Sequence, residues 1–166
     1  MIKPLGLAHV NINVTDLERS EKFYRDILGL KPAGRVPGRV VWMNWGQHGK
    51  AELFFHNIAL YQVPGEKADN HRQRPGLNHV AFELESAEAV EKATEWLREK
   101  GVKVLKGPHL HIEDLTTITY FEDPDGNVLE ISSPKEVPDG WDAQAWRDEA
   151  DKRGLHRHNI PEEFPD

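Results

Sequence analysis

The chain lacks cysteine altogether: none occurs among its 166 residues. This excludes disulfide bonds, iron–sulfur clusters, thiolate zinc sites and cysteine nucleophiles. The chain also lacks any apolar run near the ~18 residues that a membrane span needs, and the pattern of a secretion signal at its N-terminus. A net charge of −7 without a basic stripe argues against nucleic acid or a membrane surface as a partner. We therefore expect a cytoplasmic protein with neither kind of partner.

Histidine, by contrast, is abundant, with nine residues, and two of the nine occupy matched positions. His9 lies in the segment Leu7–Ile12, and His79 lies at the same offset in the similar segment Leu77–Phe82, 70 positions later. Both segments begin a longer pattern that repeats. Because the repeat carries a histidine at the same offset, it puts two imidazoles at equivalent points of two similar units.

The first copy of the pattern reads as a strand, a helix and three strands over residues 1–63. Leu7–Val14 alternates apolar and polar side chains, which is typical of a strand. Thr15–Glu18 has the spacing of a capping box, which predicts Thr15 as the N-cap of a helix that ends at Gly29. Three further strands are expected at about Lys31–Gly34, Arg39–Trp45 and Ala51–Val63.

The second copy follows a polar, proline-bearing linker, residues 64–76. It covers residues 77–133 and has the same order of a strand, a helix and three strands. Ser86 is the expected N-cap of its helix, and Gly101 the expected end. The expected strands are Leu77–Leu84, Val102–Leu105, Thr116–Glu122 and Val128–Ser132.

An acidic tail, residues 134–166, follows the two copies and has a predicted helix at Asp142–Arg153. Trp141 and Trp146 are too apolar to stay in water, so we expect this tail to dock on the rest of the chain. Residues 1–133 are then one α+β domain. Its two βαβββ modules each bury one sheet face by curling, as a mixed sheet, around a shared interior.

A metal site is expected in this interior, where the equivalent first strands meet. His9 shares a strand face with Asn11 and so points away from the apolar layer. Glu130 is a carboxylate in an apolar final strand, where burial is costly unless it is paired or binds a cation, although an exposed strand edge would also accept it. His9, His79 and Glu130 match the facial triad of non-haem Fe(II) oxygenases, a ligand set that also suits Mn(II) or Zn(II).

The βαβββ repeat resembles the vicinal-oxygen-chelate superfamily, which includes glyoxalases, bleomycin-resistance proteins and dioxygenases. Within it, three segments are similar to motifs of the type I extradiol catechol dioxygenases. His56–Leu60 resembles a His-x-aliphatic-Ala-aromatic segment, and Gly107–His111 resembles a Gly-Pro-x-x-His segment. Tyr120–Asn127, followed by Glu130, resembles the third motif. The separations of nine residues from the motif histidine to the tyrosine, and of ten from the tyrosine to Glu130, also fit.

The resemblance implies a single-domain dioxygenase that cleaves a catechol ring and inserts both atoms of O2. His9, His79 and Glu130 would hold Fe(II), with Mn(II) as the other candidate cofactor. The partners would be a catechol and O2, and open sheet edges in such modules predict a homodimer. A simple catechol, a biphenyl type and one like DOPA all satisfy these motifs.

The resemblance also assigns catalytic roles to three further side chains. His56 would handle protons beside the metal, which suits an imidazole because it titrates near neutral pH. His111 and Tyr120 would hydrogen-bond the substrate oxygen and assist protonation. His109 is an alternative to His111, because it lies two residues away on the same strand face.

Two other functions are compatible with the repeat. A glyoxalase-type isomerase or epimerase uses a fourth ligand, a carboxylate at the end of the first module. Asn57–Leu60 contains none, and Glu52 is several residues early. A metal-free binding protein of the bleomycin-resistance kind needs the interior but not His9, His79 and Glu130 together.

Overall fold

The computed structural model describes residues 2–4, 6–46, 56–66, 75–111 and 116–135, together with Ala145, Asp148 and Lys152. The chain divides into two compact units. The first comprises Met1–Gly76 and Asp123–Asn127, and the second comprises Leu77–Glu122 and Val128–Asp166.

Each unit has the predicted βαβββ order within the described residues. The first contains β1 (Val10–Val14), α1 (Leu17–Leu28), β2 (Lys31–Val36), β3 (Val40–Asn44) and β4 (Ile58–Gln62). The second contains β5 (Val80–Glu83), α2 (Ala87–Glu99), β6 (Val104–His111), β7 (Thr116–Glu122) and β8 (Val128–Ser132). The α+β fold class predicted from the sequence is therefore confirmed, with two four-stranded mixed sheets.

The first sheet has the strand order β1-β4-β3-β2, with β1 parallel to β4 and the other pairs antiparallel. The pairing aligns Ile12 with Leu60 and Leu60 with Val41, so these three side chains share one face. All three are buried, as are Leu17 and Tyr24 of α1, which packs on this sheet. The apolar face of β1 is therefore turned to the helix, as its alternation predicted, and Asn11 and Asn13 are exposed.

The second sheet repeats this arrangement with the order β5-β8-β7-β6, and β5 is parallel to β8. Its helix-facing layer includes Phe121 and Leu129, which are fully buried and paired across β7 and β8. Thr94 of α2 donates its hydroxyl proton to the carbonyl of Val90 and is 2.7 Å from the hydroxyl of Thr119. Since Thr94 has one proton to donate, Thr119 is the donor of the second bond.

The N-cap of α1 is Asp16, so the prediction of Thr15 was wrong. The carboxylate of Asp16 accepts a hydrogen bond from the backbone N–H of Arg19, at 3.0 Å. The Thr15 hydroxyl instead donates to Asp125 Oδ1, at 2.5 Å. Thr15 and Asp16 are adjacent and both residue types favour the N-cap position, so the sequence pattern did not distinguish them. In the structure the Thr15 hydroxyl is bonded to Asp125, which leaves Asp16 as the N-cap.

The other predicted helix signals are confirmed. Gly29 follows α1 with a φ of 69°, and its N–H is bonded to the carbonyl of Arg25 at 3.0 Å. Ser86 caps α2 by accepting from the N–H of Ala89 at 3.1 Å. The second helix ends at Glu99, two residues before Gly101, as the position of that glycine predicted.

The turn Asp123–Asn127 is part of the first unit and is fixed by side-chain hydrogen bonds. Asp123 Oδ1 accepts from the N–H groups of Asp125 and Asn127, at 2.9 and 2.8 Å. Its Oδ2 accepts from the hydroxyl of the fully buried Tyr24, at 3.1 Å. Burial raises the pKa of Asp123, and burial together with this carboxylate raises the pKa of Tyr24. The turn motif thus has a structural role that its sequence did not predict.

Strand β6 is longer than predicted, because it extends from Val104 to His111 rather than ending at Leu105. Gly107 and Pro108 lie within β6, which is an edge strand, where a proline does not remove a required hydrogen bond. The pairing of β6 with β7 is irregular between Val104 and His109, and this irregularity accommodates Gly107 and Pro108. The Gly107–His111 motif therefore lies on a strand.

Several predictions fall on residues outside the described ranges. These are the strand start at Ala51–Phe55 and the docking of Trp141 and Trp146. Of the predicted helix Asp142–Arg153, only Ala145, Asp148 and Lys152 are described, and all three are helical. No helix among the described residues is both long enough and apolar enough to cross a membrane.

Gly107 has no room for a side chain, so we predict that Gly107→Ala destabilises the protein. A Cβ at this position would clash with Thr119 Oγ1 and lie 2.7 Å from the Ile118 carbonyl oxygen, and φ is 119°. We expect the free energy of unfolding in urea to fall by about 2 kcal/mol or more. Gly76→Ala is the control, because nothing lies within 4 Å of a Cβ there. Equal stability of the two variants would contradict the prediction.

Candidate active site

The centre of the candidate site in the second unit is the contact between His79 and Glu130. His79 Nε2 lies 3.1 Å from Glu130 Oε2. His79 Nδ1 lies 2.8 Å from the side-chain oxygen of Asn78. Since an amide oxygen only accepts, Nδ1 carries a proton. When Nε2 is also protonated it donates to the carboxylate, and when it is not, its lone pair faces the carboxylate.

This pair fits one edge of a metal's coordination shell. Two acceptor atoms at 3.1 Å repel each other unless a proton or a cation lies between or beside them. Two ligands that each lie about 2.1 Å from one ion, at right angles, are about 3 Å apart. The side chains of His79 and Glu130 are thus of the right type and at the right separation to bind the same divalent ion.

The fold positions Glu130 by placing β8 between β5 and β7. Glu130 is aligned with Ala81 of β5 and with Tyr120 of β7. Its neighbours Leu129 and Ile131 are buried on the opposite face. Glu130 itself is only 7% exposed, so the alternative of a solvent-exposed strand edge was wrong.

Tyr120 borders the same pair. Its ring centroid lies 5.2 Å from that of His79 in an edge-to-face arrangement, and it packs with Ile118 and Val128. Only 8% of its surface is exposed. Two of the predicted metal ligands and one predicted catalytic residue are therefore brought together on one face of the second sheet.

In the first unit, the structure brings His9 and His56 together, with ring centroids 4.4 Å apart. The parallel pairing of β1 and β4 causes this, because the N–H of Val10 donates to the carbonyl of Asn57 at 2.9 Å. The residues that precede the two strands are then neighbours. Trp42 of β3 lies beside them, with its ring centroid 6.3 Å from that of His56.

The register also identifies the counterpart of Glu130 in the first unit. Glu130 is aligned with Ala81, two residues after His79, and the residue aligned with Asn11, two after His9, is Ala59. Ala59 is fully buried and has no carboxylate. The position from which the first module would supply a fourth ligand is therefore apolar, and Glu52 lies outside the described residues.

The same comparison explains Trp42, which the sequence reasoning missed. Trp42 is aligned with Ala59, and Tyr120 is aligned with Glu130, so the two aromatic residues are equivalent in the two units. Each lies beside a predicted site histidine. Alignment of the two repeats strand by strand, rather than of their first strands alone, would have identified Trp42.

His109 and His111 both lie on the face of Tyr120, since they are aligned with Ile118 and Thr116 of β7. The His109 ring is 6.5 Å from that of Tyr120. Burial, and then the charges of Lys106 and His111, lower the pKa of His109 to about 4. His109 is therefore a neutral imidazole at physiological pH.

The predicted three-ligand set is brought together in part. Among the residues that the structure describes, no group of three or more His, Asp or Glu side chains is placed to hold one metal ion. His79 and Glu130 are in contact, while His9 belongs to the other unit. The binding of all three to one ion stays a prediction.

The chain matches the Glyoxalase/Bleomycin resistance protein/Dioxygenase superfamily over residues 6–131, and it belongs to this superfamily. Members generally bind a divalent metal, typically act on small molecules and often form dimers. They include dioxygenases, lyases and transferases.

Three similar proteins illustrate this range. The metallothiol transferase FosB of Staphylococcus epidermidis is 31% identical over 132 residues, which cover 76% of this chain and 80% of that protein. An iron-dependent extradiol dioxygenase of Rhodococcus jostii is 28% identical over 134 residues, which cover 76% of this chain but only 42% of that protein. The crystal structure of lactoylglutathione lyase from Agrobacterium tumefaciens superposes with a TM-score of 0.60 at 22% identity, over 80% of this chain and 96% of that one. At this identity the comparison shows that the two proteins share a fold.

Removing the Glu130 carboxylate is predicted to weaken metal binding. Loss of an outer-shell partner already costs a metal site about 10- to 100-fold in affinity, so Glu130→Gln, which removes a ligand, should cost roughly 100-fold or more. Anaerobic Fe(II) titration followed by calorimetry measures this. Glu83→Gln is the matched control, because Glu83 is an exposed carboxylate on the neighbouring β5. Equal Fe(II) affinity of the two variants would exclude Glu130 as a ligand.

Proposed function

We propose that this protein is an extradiol dioxygenase that cleaves a catechol ring with O2 at a ferrous site held by His9, His79 and Glu130. The observation that carries the proposal is common to both units. In each unit, a histidine that is a predicted metal ligand lies beside a side chain that can transfer a proton. These pairs are His9 with His56, and His79 with Tyr120. Ring cleavage needs metal ligands and proton-transfer groups in this proximity.

The donor set supports an open metal site. Two imidazoles and one carboxylate leave coordination positions for both substrates, and the buried counterpart Ala59 adds no fourth ligand. A bound ferrous ion supplies a positive charge that favours the deprotonated catechol, and a redox centre for electron transfer to O2. Mn(II) suits the same donors and is the second candidate.

The protein's own groups then handle the protons. His56 accepts a proton from a catechol hydroxyl, for which a neutral imidazole is suited. Tyr120 holds a substrate oxygen by a hydrogen bond from its hydroxyl, and His111 on the same face returns a proton as the ring opens. Tyr120 and Glu130 are nearly inaccessible, so water has little access to this part of the site.

The overall reaction balances without a further reductant. The carbon–carbon bond beside the diol breaks, and both oxygen atoms of O2 enter the product, a yellow muconic semialdehyde. The catechol is oxidised and O2 is reduced. His56, Tyr120 and His111 end the cycle in the protonation states in which they began it.

Metal-dependent thiol transfer is the second candidate, since the FosB relative matches this chain at 31% identity over most of its own length. An isomerase of the lactoylglutathione lyase kind is less well supported, because Ala59 stands where its additional carboxylate would be expected. The pairing of His56 with His9 favours ring cleavage over both.

The decisive assay is anaerobic reconstitution with Fe(II), followed by addition of O2 and a panel of catechols. We expect a yellow product and the uptake of one O2 per catechol. The same preparation is assayed for conjugation of a thiol and for isomerisation of a hemithioacetal, with Mn(II) in parallel. Thiol transfer or isomerisation without ring cleavage would refute the dioxygenase assignment.

His56→Phe is predicted to keep iron and lose turnover. Loss of a general base lowers kcat by roughly 10²- to 10⁴-fold, while the predicted ligands remain. Iron content after reconstitution and single-turnover kinetics measure the two effects separately. His158→Phe is the control, since the motifs assign His158 no role. Normal turnover of His56→Phe, or loss of its iron, would remove the proposed role of His56.

A further inference from the structure

Trp42 is a large aromatic side chain that lies outside the core of the first unit and has no part in the proposed mechanism. That core is on the face of the sheet that packs against α1, where Ile12, Leu60 and Val41 are buried. Trp42 follows Val41 on β3, so its side chain is on the opposite face, with the exposed Asn11. Trp42 itself is half-buried. A partly exposed aromatic side chain outside a core is typical of a ligand-binding surface.

The neighbours of Trp42 across the sheet leave its indole ring open. Trp42 is aligned with Ala59 of β4 on one side and with Gly34 of β2 on the other. A Cβ at Gly34 would lie 3.4 Å from Cε3 of the indole, so the benzo edge of the ring lies against this glycine. Neither aligned neighbour has a side chain larger than a methyl group. The flat surface of the indole is therefore not enclosed by a bulky residue of the same row.

The indole is also close to the proposed proton acceptor. Its ring centroid lies 6.3 Å from that of His56, with the two rings inclined at 52°, and the His56 centroid lies 4.4 Å from that of His9. A catechol that gives a proton to His56 must come within hydrogen-bond distance of this imidazole. Since His9 and Trp42 both border His56, a ring that is bound there has the indole as its aromatic neighbour.

We propose that Trp42 is a specificity residue whose indole packs against the aromatic ring of the catechol while His56 accepts the hydroxyl proton. The inference rests on the proposed function. Aromatic rings attract each other beyond the contribution of their buried area, so the indole recognises the ring of the substrate. The metal ligands and His56, by contrast, recognise its oxygen atoms.

The test compares the wild type with Trp42→Phe, which keeps a flat ring, and with Trp42→Leu, which is apolar without one. Trp96→Leu is the matched control, because Trp96 is a half-buried indole on α2 of the second unit. Calorimetry measures the dissociation constant of Zn(II), a redox-inactive ion that suits the same donors, and then that of catechol for the Zn(II) protein. Steady-state assays of the Fe(II) protein give kcat and KM, and catechol quenching of tryptophan fluorescence is recorded.

We expect Trp42→Leu to raise the dissociation constant and the KM of catechol by roughly 10-fold, while Trp42→Phe stays within about 3-fold and kcat changes little in either. The affinity for Zn(II) should be equal in all four proteins. Catechol should quench the emission of the wild type more strongly than that of Trp42→Phe. An unchanged catechol affinity in Trp42→Leu, or a loss that is matched by an equal loss of Zn(II) affinity, would overturn the inference.

The two proposals fail in different ways. If catechol binding to the Zn(II) protein depends on Trp42 but the Fe(II) protein does not cleave catechol, the dioxygenase assignment fails while the role of Trp42 stands. If the Fe(II) protein cleaves catechol equally well with and without the indole, the role of Trp42 fails while the assignment stands. A wild type that neither binds nor cleaves catechol refutes both.

Discussion

The burial of the Glu130 carboxylate beside the imidazole of His79 is the constraint on which the site in the second unit depends. A carboxylate that is 7% exposed needs a cation, a proton or hydrogen bonds, and the 3.1 Å contact with His79 Nε2 supplies only another acceptor when that ring is neutral. The position of β8 causes this contact, because His79 directly precedes its parallel neighbour β5, and Tyr120 lies on its antiparallel neighbour β7. The sheet thus creates an electrostatic requirement that a proton on His79 Nε2 or a cation beside the pair meets.

The two units use the same backbone for different chemistry. Parallel pairing of the first and last strands places a histidine beside the last strand in each unit. Where the second unit then has Glu130 and Tyr120, the first has Ala59 and Trp42 at the aligned positions. At this aligned position the second unit therefore has a carboxylate and the first has an apolar residue, while His56 lies beside His9 in the first unit. The two units thus share a backbone arrangement but differ in the side chains at aligned positions. This difference is compatible with a site that has one acidic ligand and separate proton-transfer groups.

Much of this could be predicted from the sequence, because hydrophobic alternation and the repeat are local signals. They gave the βαβββ order and the caps at Gly29 and Ser86, and they left burial and exposure of Glu130 as alternatives, of which the structure shows burial. Other features depend on tertiary pairing. Asp16 rather than Thr15 is the N-cap of α1, because the Thr15 hydroxyl donates to Asp125, which is distant in sequence. Strand β6 continues through Pro108 because it is an edge strand. Trp42 lies beside His56 because of the register in which β1, β4 and β3 pair. Such contacts have no signal in a single stretch of sequence.

The central claim is that two imidazoles and one carboxylate hold a single catalytic iron. A crystal structure of the protein loaded anaerobically with Fe(II), with anomalous diffraction recorded at the iron edge, tests it most directly. The account predicts one strong peak within about 2.3 Å of His9 Nε2, His79 Nε2 and a Glu130 oxygen. A peak elsewhere, or His79 and Glu130 in direct contact with no iron beside them, would contradict it.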